Sequence, residues 1–133
     1  MPTDPEGFYM AAEELNRMRP PLVSDEVCGR MMMNRMYYAA YLETREAIRT
    51  QLGVRTFDVG NTSLAETLTK AADPRVRVIG TRLLALKRAR EIADYQPHRR
   101  FPKAVAALHM DNARFVLDNA GRLTGCFPLI RAR

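Results

Sequence analysis

Residues 34–48 read NRMYYAAYLETREAI, and this stretch decides the fold because its apolar residues have the spacing of a long helix. At three- and four-residue steps, one predicted apolar stripe contains Val27, Met31, Tyr38, Leu42, Ile48 and Leu52. Arg35 falls on the same stripe. Because an unpaired buried guanidinium is costly, Arg35 must have an ionic partner, stay partly in water, or face a ligand.

Capping residues and prolines divide the chain around that stretch. Pro20 and Pro21 end a first predicted helix over residues 6–18, because proline disfavours helical geometry in the preceding residue. Ser24 caps the long second helix, which is predicted to end at Gly53. The segment VRTFDVGN then reads as a loop or a strand-like piece.

The later helices follow from the same signals. Asp73 before Pro74 has the pattern of a cap followed by proline in the first turn, and Pro97 closes that helix. These helices are predicted from Thr62 or Ser63 to Ala72, from Asp73–Pro74 to Tyr95, and from Pro102 to Leu123. The sequence therefore predicts an all-α fold, an antiparallel bundle of four or five helices. Its 133 residues have the length of one domain, residues 1–133, with a core over about 6–123 and a tail over 124–133.

The fourth helix carries a second arginine on an apolar stripe. Arg90 follows Val76, Ile79, Leu83 and Leu86 at helical steps, and Asp94 lies one turn after Arg90. We therefore expect the second and fourth helices to be neighbours, with Arg35 or Arg90 within ion-pair reach of Asp94. Such a pair is either an internal lock between two helices or part of a ligand site.

Charge is unevenly distributed along the chain. The net charge is +6, with 8 Lys and Arg against 11 Asp and Glu in residues 1–74, and 13 against 4 in residues 75–133. A basic half of this kind attracts phosphate, which makes a nucleotide or nucleic acid a reasonable partner. The alternative is a basic surface without such a ligand.

Several site classes and compartments are not indicated. The two cysteines, Cys28 and Cys126, are far apart and have no CxxC spacing, so we predict no metal, no cofactor and no disulfide. The chain has no P-loop pattern. It also has no apolar run long enough for a membrane span and no signal sequence at residues 1–8, so we expect a cytoplasmic protein with no membrane partner.

Three elements in order resemble the HEPN family, the "higher eukaryotes and prokaryotes nucleotide-binding" helical bundle, in its nucleotidyltransferase-associated type. The first is Arg-x-Tyr-Tyr-Ala on the second helix and the next is Arg-x-x-Ala-Asp-Tyr late on the fourth, before an alanine-spaced last helix. Here they are Arg35, Tyr37, Tyr38 and Ala39; Arg90, Ala93, Asp94 and Tyr95; and Ala106, Ala113 and Ala120. The resemblance covers about residues 6–123 and implies a HEPN-like bundle.

The resemblance implies three alternative functions. One is a nucleotide- or RNA-binding protein that is the partner of a small nucleotidyltransferase in a toxin–antitoxin-like pair. Another is a metal-independent toxin endoribonuclease, and the last is a non-catalytic interaction bundle. Nuclease members carry arginine, four to six residues and then histidine, whereas here Arg90 and His98 have seven residues between them. Residues Arg90, Tyr95 and His98 are the catalytic candidates, since cleavage needs a cation at the phosphate and a proton-transfer group.

The candidate binding residues extend into the basic loop after the fourth helix. There a helix start at Pro102 would add affinity for anions. The groove predicted to bind nucleotide or RNA is lined by Arg35, Arg88, Arg90, His98, Arg99, Arg100 and Lys103. The alternative is that the loop charges are simply solvated.

Methionines cluster on the second helix at positions that surround it. Met31, Met32, Met33 and Met36 cannot all face one core, so part of the cluster is predicted to contact another chain. With the dimerisation that the HEPN resemblance implies, we expect a homodimer.

Overall fold

The protein folds into helices joined by short connections. The structure is a computed structural model that describes residues 4–17, 24–52 and 64–122, with no side-chain description of residues 51 and 52. Its helices are α1 (Pro5–Arg17), α2 (Asp25–Leu52), α3 (Leu64–Thr69), α4 (Pro74–Tyr95), α5 (Lys103–Ala107) and α6 (Met110–Asn119), and a 3-10 turn (Ala120–Arg122) follows. No β-strand occurs in these ranges, and the predicted all-α fold is confirmed. None of the described helices is long and apolar enough to cross a membrane.

Some predicted boundaries lie outside the described residues. These are the prolines after α1, the end of α2 at Gly53, the segment 54–61, the start of the third helix at Thr62 or Ser63, Leu123 and the tail 124–133. Cys126 lies there too, whereas Cys28 is buried on α2.

Side-chain hydrogen bonds cap the N-termini of α1, α2 and α4. Ser24 Oγ accepts from the Val27 amide at 3.1 Å, and Asp73 Oδ1 accepts from the Arg75 amide at 2.8 Å, as predicted. Asp4 does the same for α1, where its Oδ1 accepts from the Glu6 amide at 3.2 Å. Each cap satisfies an amide that has no partner within its own helix.

Helix α2 is the centre of the bundle. It packs against α1, α4, α5 and α6, while α3 packs against α4. Contacts between Arg30 and Ala93 and between Tyr37 and Arg90 show that α2 and α4 run antiparallel. Helices α2 and α4 are therefore neighbours, as expected.

The buried face of α2 differs from the predicted one. Val27, Met31 and Tyr38 are 47%, 40% and 43% exposed, although they were predicted to face the core. The buried face carries no charge, and it consists of Cys28, Met32, Met33, Met36, Ala39, Ala40, Thr44 and Ile48. Because α2 has two apolar stripes with helical spacing, the stripe without an arginine is the one that becomes fully buried.

The methionine cluster belongs mainly to the core. Met32, Met33 and Met36 are completely buried, and only Met31 is exposed. The core thus takes three of the four methionines, more than expected, and the prediction that part of the cluster contacts another chain now concerns Met31 alone. Flexible thioether side chains instead fill the centre between several helices.

The predicted last helix is broken in two. Leu108 and His109 form a turn between α5 and α6, with amides that bond to residues three positions earlier, Val105 and Ala106. The His109 ring stacks on Phe101 at a centroid distance of 6.4 Å. No proline or glycine marks this break, so tertiary packing rather than local preference produces it.

Glycine permits a very close approach at Gly29 on α2. A Cβ there would overlap the Phe101 carbonyl oxygen and lie 2.5 Å from the Pro102 carbonyl carbon. The backbone before α5 therefore lies directly on α2. At Gly80, similarly, a Cβ would lie 2.6 Å from the Thr69 amide nitrogen, so α3 and α4 are equally close.

Gly29→Ala is expected to destabilise the protein by about 1–3 kcal/mol, because the added methyl must displace main chain. Helix propensity alone predicts the opposite effect, because Ala stabilises a helix by about 1 kcal/mol relative to Gly. Gly121→Ala is the control, since a Cβ there has only Glu43 Oε2 at 3.8 Å. Urea unfolding of both variants measures the effect, and a Gly29→Ala protein as stable as wild type would contradict the close packing.

An exposed ionic cluster connects α1 to α6. The Arg114 guanidinium pairs with Glu6 of α1 and with Asp118 at 2.9 Å, and its Cζ lies 4.9 Å from the Tyr9 ring centroid. The hydrogen bond from Arg114 holds the pKa of Glu6 below its usual value. Folding therefore favours the ionised Glu6 carboxylate.

Glu6→Gln should lower the free energy of unfolding at pH 7 by less than about 1 kcal/mol, because the pair is exposed. Since the folded-state pKa of Glu6 is lowered, the stabilisation is present above the ordinary value of 4.5 and is lost as the pH falls through the folded pKa. Unfolding curves of both proteins between pH 7 and pH 3 should therefore converge at the acid end. Glu14→Gln, in the more exposed Arg17–Glu14 pair, is the control and should have almost no effect. A Glu6→Gln difference that stays constant with pH would be inconsistent with this assignment.

Candidate functional site

Arg30 connects α2 to the end of α4. Its Nη1 donates to the carbonyl oxygens of Ile92, Ala93 and Gln96 at 3.4, 2.7 and 3.4 Å. Its Nη2 donates to the carbonyls of Pro97 and Arg99 and to Glu26 Oε2 at 3.0 Å. The Arg30 side chain is only 18% exposed. The last turn of α4 contains no basic residue of its own, so Arg30 supplies the cation that a helix C-terminus favours.

The carboxylates at the start of α2 bind the chain before α5. Glu26 Oε2 accepts from the Phe101 amide as well as from Arg30, and Asp25 Oδ2 accepts from the Lys103 amide at 3.2 Å. Helix α5 has no side-chain cap at Pro102 and no acidic residue in its first turn. Carboxylates of α2 therefore occupy the helix start that was expected to bind an external anion.

Arg90 lies between two tyrosine rings. Its Cζ is 5.0 Å from the Tyr37 ring centroid and 5.8 Å from that of Tyr95. Burial disfavours its charge, but hydrogen bonds to Tyr95 and Asp94 outweigh this effect and raise the pKa of Arg90. The buried Nε has no hydrogen-bond partner among the described residues. Arg90 is thus a permanent, incompletely satisfied cation.

An ion pair joins Arg90 to Asp94, whereas Arg35 does not contact Asp94 directly. Arg90 Nη1 lies 3.4 Å from Asp94 Oδ2, which confirms the predicted ion pair, but both residues are on α4, so this pair does not by itself lock two helices. The link to α2 comes from Asn34, whose Nδ2 donates to Asp94 Oδ2 at 3.4 Å. Arg35 Nη1 donates to Asn34 Oδ1 at 3.0 Å and forms no ion pair with any described residue. Asp94 therefore pairs with one of the two half-buried guanidiniums and is connected to the other only through the Asn34 amide.

An open cleft separates α2 from α4 at this position. We call it the α2–α4 cleft; its volume is about 180 Å³, and it is lined by Arg30, Met31, Asn34, Arg35 and Asp94. Tyr95 and Tyr38 are 70% and 43% exposed. The cleft thus places cationic and acidic side chains on one open surface. Within the described ranges, no three His, Cys, Asp or Glu side chains could hold a metal ion together.

Of the seven predicted groove residues, only Arg35 is among the described residues that line the α2–α4 cleft. Arg88 is exposed and lies two residues from the half-buried Arg90, and residues at that spacing do not share a helix face. Lys103 Nζ donates to the Asn16 carbonyl at 3.1 Å, at the end of α1. His98, Arg99 and Arg100 are exposed in the loop. A single groove lined by all seven predicted residues is therefore wrong, and the structure groups Arg35 and Arg90 around Asp94.

The three catalytic candidates are only partly brought together. The Tyr95 hydroxyl is 3.5 Å from Arg90 Nη1. No hydrogen bond or ring contact joins His98 to Arg90 in the described part of the chain, so the loop does not fold the imidazole back. His109 packs on Phe101, and burial lowers its pKa, which favours the neutral imidazole.

Sequence reasoning missed Arg30, Glu26 and Asn34. The four-residue spacing of Glu26 and Arg30 is a local signal for an ion pair, but it does not identify partners in α4. The carbonyl groups that accept hydrogen bonds from Arg30 are more than 60 positions away in the sequence, and main-chain acceptors cannot be recognised from a pattern of side chains. Asn34 stands beside Arg35 and has no distinguishing pattern.

Arg30→Lys should destabilise the fold by about 2 kcal/mol, because an ammonium cannot reproduce the planar fork of donors and leaves carbonyls unsatisfied. Arg49→Lys is the control on the same helix, since Glu46 is the only ion-pair partner of Arg49 among the described residues and the Arg49 side chain is 49% exposed. Its cost should stay below about 0.5 kcal/mol. Urea unfolding measures both variants, and equal small losses would show that the Arg30 contacts contribute little.

Comparison with protein-family models, curated proteins and solved structures gave no match to this chain. The function is therefore argued from the chemistry of the site.

Proposed function

We propose that the α2–α4 cleft binds the phosphate-bearing part of a nucleotide or RNA, and that the protein is a HEPN-type binding protein that acts beside a nucleotidyltransferase partner. One observation carries the proposal: two half-buried cations lie at Asp94, a residue of the cleft wall, with Arg90 paired to it directly and Arg35 linked to it only through Asn34. Partly buried cations without full compensation favour an anionic ligand.

The donor geometry supports phosphate. Arg35 lines the cleft and gives one observed hydrogen bond, from Nη1 to Asn34, which leaves other guanidinium donors for a ligand. Arg90 donates through Nη1 to Asp94 and Tyr95 over long distances of 3.4 and 3.5 Å. Guanidinium forks match phosphate oxygens, and the partly closed surroundings strengthen such contacts.

The remaining side chains support a nucleotide rather than free phosphate. A carboxylate such as Asp94 can accept a hydrogen bond from a ribose hydroxyl, as acidic residues do in dinucleotide sites. The exposed tyrosine rings of Tyr38 and Tyr95 offer flat surfaces on which bases can stack. A cleft of about 180 Å³ accommodates a sugar-phosphate part, with the base outside.

The arrangement supports binding more than cleavage. Metal-independent RNA cleavage needs a proton-transfer group next to the cation. His98 is exposed and makes no contact with Arg90, and the pKa of Tyr37, which does contact Arg90, is raised by burial. The ribonuclease alternative therefore requires a rearrangement of the loop.

A partner protein is supported by the surface around the cleft. Val27, Met31 and Tyr38 form an exposed apolar stripe on α2, and Met31 also lines the cleft. Exposed apolar side chains next to a polar site are typical of interaction surfaces. The resemblance to the HEPN family supports a second copy of the chain or a nucleotidyltransferase as the partner.

Salt-titrated binding of short single-stranded RNA and of ATP, followed by fluorescence anisotropy, tests the site. Arg35→Gln/Arg90→Gln should weaken RNA binding at least tenfold and reduce the slope of log affinity against log salt by about 1.4, equivalent to two phosphate contacts. Arg99→Gln/Arg100→Gln is the matched control, because it removes the same charge from the exposed loop. The control should have the smaller effect.

Equal losses in the two double variants, or a loss only in the loop variant, would contradict the cleft assignment. Intact RNA after incubation is expected, and cleavage that depends on His98 would favour the ribonuclease alternative. Circular dichroism of each variant separates lost binding from lost folding.

A further inference from the structure

A second cavity lies at the opposite half of α4, against α6. We call it the α4–α6 cavity; its volume is about 340 Å³, and its lining consists of Arg75, Val78, Ile79, Phe115, Asn119 and Arg122. None of these residues belongs to the α2–α4 cleft. The volume is within the range of about 300–1,000 Å³ that is typical of small-molecule sites.

The apolar wall of this cavity is held in place by polar contacts behind it. The Arg82 Cζ lies 4.2 Å from the Phe115 ring centroid, and Arg82 Nη1 donates to Asn112 Oδ1 at 3.1 Å. Asn119 Nδ2 donates to the Phe115 carbonyl at 2.7 Å. Arg82 therefore packs on the Phe115 ring before any ligand arrives, which lowers the ordering cost of binding.

Val78 has exposed apolar surface that faces the α4–α6 cavity. It is 41% exposed, whereas its neighbour Ile79 is almost completely buried in the core. A ligand with an apolar body would cover Val78 and one side of Phe115. Burial of this area at about 25 cal/mol per Å² favours binding without any polar contact.

The rim of the cavity is positively charged. Its described lining contains two guanidiniums and no carboxylate. Arg75 is already engaged by Asp73, with Nη2 3.0 Å from Oδ2, so its charge is largely compensated. Arg122 is exposed and forms no ion pair with a described residue. Arg122 is therefore the cation that a ligand would meet.

We propose that the α4–α6 cavity binds a small amphipathic anion, namely a monocarboxylate with an aliphatic or aromatic body. The body packs on Val78 and Phe115, and the carboxylate pairs with Arg122. The aromatic and apolar wall excludes a highly charged ligand such as a polyphosphate, which would leave charges against apolar surface. This inference is independent of nucleotide binding at the α2–α4 cleft.

Titration of the full chain with octanoate and with 3-phenylpropionate, followed by amide chemical shifts in NMR spectra, tests the proposal. Both probes should produce saturable shifts centred on Val78, Ile79, Phe115 and Asn119. The probe with the higher affinity shows whether the cavity prefers an aliphatic or an aromatic body. Octylammonium has the chain of octanoate and the opposite charge, so it should bind at least fivefold more weakly.

Two variants separate the cavity from non-specific binding. Val78→Glu places a carboxylate in the apolar wall and Arg122→Gln removes the cation, and each should weaken octanoate binding at least fivefold. Leu108→Glu is the matched control, since Leu108 is 77% exposed at the α5–α6 turn and should leave the affinity unchanged. Shifts spread over the whole surface, equal binding of octylammonium, or equal affinity in all variants would overturn the proposal.

Discussion

The first two turns of α2 connect the helices of the bundle through opposite charges that pair with the ends of other helices. Arg30 provides the cation for the carbonyl end of α4, while Asp25 and Glu26 provide carboxylates for the amides that lead into α5. Neither α4 at its end nor α5 at its start has a suitable charged residue of its own. Gly29, between these side chains, lets the main chain approach closely enough for the contacts to form. Charged groups in hydrogen bonds of this kind contribute about 1.5–3 kcal/mol each and are costly to leave unpaired.

The geometry of the α2–α4 cleft depends on this junction. Arg30 contacts Ile92 and Ala93, so it fixes the last turn of α4, which carries Asp94 and Tyr95. Arg90 lies one turn earlier, against Tyr37 of α2. Because the junction satisfies Arg30 fully, the positive charge left for a ligand comes from Arg35 and Arg90. One arginine thus stabilises the fold, and the two others are the cations on which the proposed binding site depends.

Local signals in the sequence predicted the helices well and their packing less well. The caps at Ser24 and Asp73 each join residues only two or three positions apart. The local sequence is therefore enough to predict them. The choice of the buried face of α2 is not local, because both of its apolar stripes have helical spacing. The break at Leu108 and His109 also follows from packing, since the sequence there lacks a helix breaker.

In the candidate site, too, local features could be predicted from the sequence, whereas features that depend on packing could not. The pair Arg90–Asp94 could be predicted because its members are four positions apart on one helix. The role of Asn34 between the helices, and the grouping of Arg35 with Arg90, required the position of α4 relative to α2. The density of arginines in the loop led to the prediction of an anion site there. The start of α5, which follows this loop, is already neutralised by Asp25 and Glu26.

The most direct test of the central claim observes the Arg90 guanidinium itself during ligand binding. In NMR spectra that detect arginine Nε–Hε groups, addition of a short single-stranded RNA should shift the Arg90 and Arg35 signals and slow their exchange with water. The Arg49 signal should stay unchanged, because Arg49 pairs with Glu46 and is not among the residues that line the cleft. Unchanged Arg90 and Arg35 signals at saturating RNA, with shifts confined to Arg99 and Arg100, would contradict the account.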